Sequence, residues 1–529
     1  MSEHQSTSQN ENSASVTVTV SSDEPDTHTQ LIRYLSTNIR DGPLKNVKVL
    51  DLTRIVAGPY CSMILADLGA DVIKIERPGT GDEARKWGPP FINDTDETCY
   101  FMCLNRNKRS VCVDMKSREG KDIILGLSKK CDVLIENYVP GTLNKLGLGY
   151  EDLKNVSPHL IYCSITGYGS RGPYKSRPGY DVIAASYGGL MSITGPRDGP
   201  PCKVGVAVTD MATGLYAHGA ILAALLERAT TGKGQKIDCN LLSTQVACLI
   251  NIGANYLNAG EVGVKWGSSH VSIVPYRAYE TADNKFITVG SGSDLQFQNF
   301  CEKLDIHDLF EDKLYKTNKD RVANRESLDS VLEAKFKTKT LKEWLVILEG
   351  AAFPYGPVND MAQVFEDEHI KDIGLVKEIE HPKAGRVKVV GPPVEFSISK
   401  NSVYSPPPLL GQHTEDLTTF RLKLRKPKST KKVNWTEGTV DNENMDKKKS
   451  KCEYGGRDLV VGNFSNVKHF LPGCCIYQKP RAQDESSSDD ASDEDECEHC
   501  FGHVEKKKTV LKKHNTPSPD PGVQSMIAA

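Results

Sequence analysis

Apolar residues in the middle of the chain follow two alternating periods. Short apolar runs of strand length are VKVLDLT (47–53), ADVIKIE (70–76), DVLIENY (132–138) and LIYCSITGYG (160–169). Between them, helical spacing occurs in GPYCSMILADLG (58–69), which Gly69 closes, and in KDIILGLSKKC (121–131). Strands that alternate with amphipathic helices are typical of a parallel sheet with helices on both faces. The pattern therefore predicts an α/β fold with an open parallel sheet.

The two ends of the chain lack this pattern. Residues 1–40 begin with a polar, acidic segment, and residues 421–529 pass from the basic run RLKLRKPKSTKK to the acidic run DESSSDDASDEDECE. Such segments cannot bury enough apolar surface to fold alone. We therefore expect disordered tails on both sides of a folded region that begins near residue 41.

Composition excludes several classes of protein. The 529 residues carry 66 basic and 69 acidic side chains, a net charge of -3, which argues against a nucleic-acid binder. No apolar run is long enough for a membrane span, so we expect no membrane partner. The 15 cysteines are scattered, as reduced intracellular thiols are. The N-terminal segment has neither a signal peptide nor the Arg-rich character of a mitochondrial transit peptide.

One carboxylate stands at the start of a helical pattern. In VGVAVTDMATGLYAHG (204–219), a strand-like run from Val204 to Val208 precedes Thr209 and Asp210. The simple interpretation is helix capping, because both residue types accept hydrogen bonds from the free N–H groups of a first turn. The positive end of a helix also keeps a carboxylate ionised, and its N–H groups can face an oxyanion. Asp210 is therefore a candidate cap and a candidate nucleophile.

Ligands of open parallel sheets bind beyond the carboxyl ends of the strands. Four segments fall there in this chain, and they are 54–58, Arg77, 137–138 and 166–169. Gly, Asn and Pro populate every such turn, so an ordinary loop role is the alternative for each segment. The fingerprint G-x-G-x-x-G is absent after the first strand, which argues against NAD binding.

Several long motifs resemble one enzyme family in order and spacing. They are VKVLDLTRIVAGPYCSMILADLGADVIKIERPGTGDEAR, LNRNKRSVCVD, DVLIENYVPGTLNKLGLGYEDL, SITGYGSRGPY and TGKGQKIDCNLL. From about Leu44 to Asp416 the chain resembles the class III (CaiB/BaiF) CoA-transferases. Stretches such as RKWGPPF and SIVPYRAY resemble the members that exchange CoA between succinate and glutarate.

The resemblance implies a specific architecture. It implies a large Rossmann-like domain over residues 41–225, a smaller α/β domain over 226–395 and a return segment over 396–420. It also implies an interlocked homodimer. Relatives are mitochondrial, whereas the sequence itself shows no transit peptide and otherwise suits the cytoplasm or nucleus.

The resemblance also implies the chemistry. Asp210 matches the catalytic nucleophile, which would move CoA from succinyl-CoA to a dicarboxylate such as glutarate through an aspartyl anhydride and thioester. CoA thioester is then a substrate, and neither a permanent cofactor nor a metal is implied. Racemases of the family carry GHD where this chain has GYD. The matching Tyr180 is a poor base near neutral pH, which favours transfer, and we expect Asp181 to cap or orient.

The CoA contacts are carried over residue by residue. Ile55, Val56 and Ala57 should lie near adenine or pantetheine, and Arg77 and Lys145 should serve the phosphates. The remaining path should be lined by Leu104, Asn105, Arg106, Asn107, Asn137, Tyr138, Thr166, Gly167, Tyr168 and Gly169. The loop GSGSD (290–294) occupies the place of a covering loop. The far carboxylate of the dicarboxylate has four alternative partners, Arg106, Arg109, Arg171 and Arg177.

The ends of the chain resemble a different family, inhibitor-3 of protein phosphatase 1. The matching stretches include SVTVTVSSDEP, FRLKLRKPKSTKKVNWTEGTVDNENM and CCIYQKPRAQDESS. Lys432, Val433 and Trp435 fit a motif that adds a strand to the catalytic subunit of protein phosphatase 1 and buries two apolar anchors. A regulatory inhibitor is therefore the alternative function, and the mosaic order suggests a fusion or a chimeric gene model.

Cysteines of the tail depart from the pattern of that inhibitor. Cys452 is separated from Cys474 and Cys475 by the insert EYGGRDLVVGNFSNVKHFLPG, which prevents one compact thiol cluster. Cys497, His499, Cys500 and His503 are candidate zinc ligands. Their spacing is tighter than that of usual structural sites, so we expect no metal.

Overall fold

The computed structural model describes residues 41–415. Both predicted tails and the phosphatase-docking residues lie outside this range. Six parallel strands form the central sheet in the order β3-β2-β1-β4-β5-β6. These strands are β1 Lys48–Asp51, β2 Asp71–Glu76, β3 Lys108–Cys112, β4 Val133–Glu136, β5 Ile161–Thr166 and β6 Lys236–Asn240. The predicted α/β fold with an open parallel sheet is confirmed.

Helices connect the strands or follow the last of them, and several of these helices cover the sheet. They are α1 Ala57–Asp67, α2 Cys99–Met102, α3 Arg118–Ser128, α4 Thr142–Lys145, α5 Tyr150–Val156, α6 Asp181–Tyr187, α7 Val208–Thr231, α8 Leu241–Ala247 and α9 Ile250–Ala259. Short 3-10 turns occupy Glu83–Lys86 and Leu190–Ser192. Ser117 caps α3 through the N–H of Gly120, and Gly69 follows α1 with a φ of 98°, as its predicted role in closing that helix requires.

Two apolar cores lie on opposite faces of the sheet. One core packs Ile124 of α3 and Leu153 of α5 against the strands. The other packs Leu65 of α1 and Ile221 of α7 against the opposite face. Because helices cover both faces of the sheet, the sequences of its central strands are nearly continuous apolar runs.

The later part of the described chain has a core of its own. An antiparallel sheet of β7 Tyr276–Glu280, β8 Phe286–Gly290 and β9 Tyr355–Pro357 packs with helices. These helices are α10 Asp294–Leu304, α11 His307–Glu311, α12 Asn318–Ala323, α13 Arg325–Phe336 and α14 Leu341–Leu348. The short helices α15 Met361–Glu366 and α16 Glu368–Asp372 follow β9 along the chain. A hairpin of β10 Val376–His381 and β11 Gly385–Val390 follows.

The final described segment returns to the edge of the central sheet. The N–H of Asn107 donates to the carbonyl of Ser405, and the N–H of Cys112 in β3 donates to Oγ1 of Thr414 (2.9 Å). At the other boundary, β6 extends the sheet past residue 225, where the first domain was expected to end. The division into domains stays a prediction.

The structure corrects one predicted strand and adds two. Residues 204–207 are irregular and α7 begins at Val208, so the predicted strand from Val204 to Val208 is wrong. The sheet strands β3 and β6 lie in motifs whose secondary structure the hydrophobic pattern left unassigned. Both contain charged residues, which break the apolar run. Within residues 41–415, no helix is long and apolar enough to cross a membrane.

Candidate active site

A cleft of about 150 Å³ lies at the carboxyl ends of the central strands. It is lined by Arg54, Ile55, Val56, Ala57, Asn137, Tyr138, Val139, Pro140, Ile165, Thr166, Gly167, Arg177, Pro178, Gly179, Tyr180, Asp210 and Leu241. The fold thus brings Asp210 together with seven of the predicted CoA contacts, which are Ile55, Val56, Ala57, Asn137, Tyr138, Thr166 and Gly167.

Asp210 lies in the first turn of α7 and is only 7 % exposed. Burial, and secondly the negative charge of Asp181, raise the pKa of its carboxyl to about 7. The sequence predicted instead that the helix N-terminus would keep this group readily ionised. In the structure, desolvation and the neighbouring carboxylate outweigh the helix dipole. Asp210 is consequently a more basic carboxylate than an exposed aspartate.

The cap of α7 comes from another helix. The N–H groups of Thr209 and Asp210 both donate to Oδ1 of Asp181, at 2.8 Å and 3.2 Å. Ala207 occupies the N-cap position and makes no side-chain bond there. Capping by Thr209 or Asp210 was therefore the wrong prediction, and the expectation that Asp181 caps or orients is confirmed.

The loop after β1 is held in a strained conformation beside the cleft. Ile55 has a φ of 73°, which is unfavourable for a β-branched residue. Its N–H donates to Oδ1 of Asp82 (3.0 Å), and the other carboxylate oxygen of Asp82 pairs with the buried Lys74 (2.9 Å). Lys74 also donates to the carbonyl of Thr53 (2.8 Å). Strain of this kind persists where surrounding contacts fix it, as is common at functional sites.

Asn137 ties the loop after β4 to the loop after β1. Its side-chain oxygen accepts the N–H of Arg54 (3.0 Å), and its Nδ2 donates to the carbonyl of Arg54 (2.7 Å). The Arg54 guanidinium lies 4.8 Å from the centre of the Tyr138 ring and pairs with Glu83 (2.5 Å). Arg54, which the family resemblance did not single out, thus brings a cation into the cleft.

The four arginines proposed for the far carboxylate have different surroundings. Arg177 lines the cleft and stacks 4.0 Å from the centre of the Tyr174 ring. Arg106 is buried and paired with Asp67 at 2.6 Å, and Arg109 is buried and paired with Asp71 at 2.5 Å. Arg171 is exposed. Of these four, Arg177 is the one that shares the cleft with Asp210.

Several predicted CoA contacts do not line the cleft. Arg77 and Lys145 are exposed, at the end of β2 and the end of α4. Tyr168 packs edge-on against Tyr174 and Tyr187, and Gly169 has a φ of 84°. Their contacts with CoA stay predictions.

The segment 104–107 is buried and forms internal bonds. Asn105 donates to the carbonyl of Phe101 (3.0 Å), and Leu104 is 6 % exposed. Arg106 and Asn107 both donate to the carboxylate of Asp67. These bonds give the segment a structural role beside its predicted role in binding CoA.

The loop 290–294 was expected to cover the site. It runs from the end of β8 into α10, where Ser293 caps the helix through the N–H of Gln296. Its covering role stays a prediction.

Burial and the negative charges of Asp210 and Asp181 raise the pKa of the Tyr100 phenol, which indicates that this ring lies near Asp210. No spacing signal in the sequence singled out Tyr100.

No group of three or more potential metal-ligating side chains occurs within residues 41–415. The candidate zinc ligands of the tail lie outside this range.

Residues 44–414 match the family model described as CoA-transferase family III. The chain is 52 % identical to human succinyl-CoA:glutarate CoA-transferase over 70 % of this chain and 84 % of the relative. It is 40 % identical to succinate--glutarate CoA-transferase of Agrobacterium fabrum over 71 % of this chain and 94 % of the relative. A crystal structure of a CaiB/BaiF family protein from Brucella suis superposes with a TM-score of 0.65 at 40 % identity, covering 72 % of this chain and 99 % of that protein.

A second family model matches the tail. Residues 419–494 match the model described as protein phosphatase inhibitor. This range begins after the described residues end and includes the predicted docking residues Lys432, Val433 and Trp435.

Proposed function

Because the chain belongs to CoA-transferase family III, we propose that it moves CoA from succinyl-CoA to a dicarboxylate such as glutarate, with Asp210 as the nucleophile. The observation that carries this proposal is the position of Asp210, a buried carboxylate of raised pKa in a cleft at the carboxyl ends of the strands. The names of the relatives from human and Agrobacterium fabrum support the two acids.

The proposed reaction needs only a carboxylate that can carry an acyl group and then CoA. An oxygen of Asp210 attacks the thioester carbon of succinyl-CoA, the new C–O bond forms, and the C–S bond breaks to release CoA thiolate. The thiolate then attacks the side-chain carbonyl carbon of Asp210 in the mixed anhydride. A C–S bond forms there, the anhydride C–O bond breaks, and succinate leaves as its carboxylate.

The acceptor acid reverses these two steps. Its carboxylate displaces thiolate from Asp210, and the thiolate attacks the acceptor's acyl carbon, which frees the Asp210 carboxylate and yields the new acyl-CoA. No electron or proton enters or leaves the cycle. Arg177 and Arg54 line the cleft and would attract the negatively charged acids.

The site does not favour racemisation. That reaction needs a second acid/base group opposite the aspartate. Tyr180, at the matching position, lines the cleft and is 55 % exposed. A tyrosine with a reference pKa of about 10 is a weak base at neutral pH.

The test is direct measurement of CoA exchange by the full chain. Succinyl-CoA and glutarate are mixed with wild-type protein, Asp210→Asn or Asp238→Asn, and glutaryl-CoA is followed by mass spectrometry. We expect Asp210→Asn to lower kcat by roughly 10⁴-fold or more, as the loss of a nucleophile does. The exposed Asp238 serves as the matched control and should retain activity. Equal activity of Asp210→Asn, or no product from folded wild-type protein, would contradict the proposal.

The match of residues 419–494 favours a second function, binding of the protein phosphatase 1 catalytic subunit through Val433 and Trp435. These apolar anchors would carry most of the docking energy. The double variant Val433→Ala, Trp435→Ala should weaken binding by roughly 100-fold in titration calorimetry and leave CoA transfer unchanged. Asp210→Asn should impair CoA transfer and leave binding of the phosphatase catalytic subunit unchanged. Unchanged binding by the double variant would rule out this docking mode.

A further inference from the structure

Asp181 occupies an unusual place beside the proposed nucleophile. It is the first residue of α6, yet its carboxylate accepts the N–H groups of Thr209 and Asp210 in the first turn of α7. A carboxylate at this position compensates free N–H groups, as an N-cap does. Here it also sets a second negative charge next to the buried carboxylate of Asp210.

The partners of Thr209 reinforce this arrangement. Its hydroxyl donates to Oε1 of the buried Gln245 in α8 (2.7 Å), and its carbonyl accepts the hydroxyl of Thr213 (2.8 Å). Asp181 and Gln245 therefore hold the first turn of α7 from two neighbouring helices. The backbone of Asp210 is fixed by contacts that do not use its side chain.

The charge of Asp181 acts differently on the free and acylated states of Asp210. Two carboxylates close together in a desolvated site repel each other. When Asp210 becomes an anhydride or a thioester, it loses its charge and this repulsion disappears. A neighbouring anion of this kind raises the free energy of the free carboxylate relative to both covalent states.

We propose that Asp181 is a positioning residue that holds the backbone of Asp210 at the cleft and, by its charge, favours the acylated states of Asp210 over the free carboxylate. This inference rests on the proposed transfer function. The raised pKa of Asp210, to about 7, has the direction that the geometry requires.

Other charged or titratable groups line the cleft or lie near Asp210, and they come from several elements. Arg54 and Tyr138 lie on the loops after β1 and β4, Arg177 and Tyr180 precede α6, and Tyr100 lies on α2. Burial is the larger cause of the raised pKa of Asp210, and the negative charge of Asp181 is the second cause. Asp181 is therefore the group whose charge the experiment should remove.

Asp181→Asn separates the two roles of this residue. An asparagine oxygen still accepts the N–H groups of Thr209 and Asp210 but carries no charge. The pKa of Asp210 is measured without substrate, by infrared difference titration of each protein against the same protein with Asp210→Asn added. We expect it to fall by roughly one unit in Asp181→Asn.

A second readout follows the covalent states. With succinyl-CoA alone, acid quench and intact mass give the fraction of enzyme that carries a succinyl or CoA adduct. We expect the equilibrium constant for acylation to fall about tenfold in Asp181→Asn, in step with the pKa change. Asp238→Asn, which removes a carboxylate that accepts the N–H of Ser170, should match wild type in both measurements.

The outcomes separate the inference from the proposed function. Wild-type values for both the titration and the adduct fraction in Asp181→Asn would show that Asp181 is only a cap and would overturn the proposal. If wild-type protein forms no adduct, the transfer function itself fails, and the infrared titration still decides whether the charge of Asp181 acts on Asp210.

Discussion

At the scale of single residues, burial decides the character of the proposed nucleophile. The start of a helix favours an ionised carboxylate, by roughly 0.3–1 kcal/mol at exposed positions. Asp210 is almost fully desolvated and faces Asp181, and its pKa is raised to about 7. The penalty on the charged form thus exceeds the dipole's effect, which leaves a basic carboxylate suited to attack on a thioester.

The same pKa predicts that Asp210 costs stability. From pH 4 to pH 7 the folded state holds a proton that the unfolded state, with a carboxyl pKa of 3.8, has lost. The free energy of unfolding therefore falls as pH rises through this window and then stays low. Above pH 7, Asp210→Asn should raise the free energy of unfolding by on the order of 4 kcal/mol. At pH 4 the substitution should leave the free energy of unfolding almost unchanged.

Urea unfolding of wild type and Asp210→Asn at several pH values measures this gain. Asp238→Asn, at an exposed position, should show no such rise with pH. An Asp210→Asn protein no more stable than wild type at pH 8 would mean that the carboxylate is solvated and that burial does not raise its pKa. Stability gained where activity is lost is common at active sites.

At the scale of elements, the close approach of α1 and α7 shapes the cleft. Gly214 of α7 lies against the start of α1, so that a Cβ there would be 2.8 Å from the carbonyl oxygen of Ala57. The same two helices carry Ala57 and Asp210 to the cleft wall. A glycine at this contact lets the two backbones come together.

Gly214→Ala is therefore expected to destabilise the protein despite its better helix propensity. The propensity gain is about 1 kcal/mol, whereas the contact with a backbone carbonyl forces the helices apart at about 1–3 kcal/mol. Gly126 in α3 is the control, because a Cβ there meets no atom within 4 Å. Gly126→Ala should stabilise by a few tenths of a kcal/mol or more. Thermal unfolding gives the midpoint temperature of each variant relative to wild type. A Gly214→Ala protein with a higher midpoint than wild type would refute the close packing of α1 and α7.

At the scale of the whole molecule, two helices, α7 and α9, carry large apolar side chains that are exposed to solvent. Leu226 of α7 and Ile250, Tyr256 and Leu257 of α9 are all strongly exposed, with Leu257 81 % exposed. Large apolar side chains left exposed on a helix are often covered by another protein surface. We propose that they are covered by a second copy of the chain in the homodimer that the family resemblance implies.

Light scattering after size exclusion tests the homodimer. Wild-type protein should have twice the mass of one chain, and Leu257→Glu should shift the equilibrium toward monomer because it buries a charge at the interface. Val346 is 71 % exposed but lies on α14, outside the two helices of the proposed interface, so Val346→Glu is the matched control and should leave the mass unchanged. A monomeric wild type would exclude this assembly.

Local sequence patterns predicted four of the six strands of the central sheet, several helices and the position of Asp210 at the start of a helix. The period of apolar residues predicts strands and helices, and Gly69 predicts the end of a helix. Both are local signals, because each element imposes its period on residues that are close in the sequence. The strand expected over 204–208 failed because small apolar residues can line a loop as well as a strand. The charged β3 and β6 were left unassigned because their ladder partners, and not their own apolar residues, make them strands.

The chemical state of the site depends on contacts between residues that are distant in the sequence. The cap of α7 comes from Asp181, 29 residues before Asp210, and no local spacing encodes that bond. Arg106 and Arg109 read as free cations in the sequence, but the fold pairs them with Asp67 and Asp71, while Arg177 reaches the cleft. Burial and charge pairing depend on which elements pack together, and that is fixed only when the chain has folded.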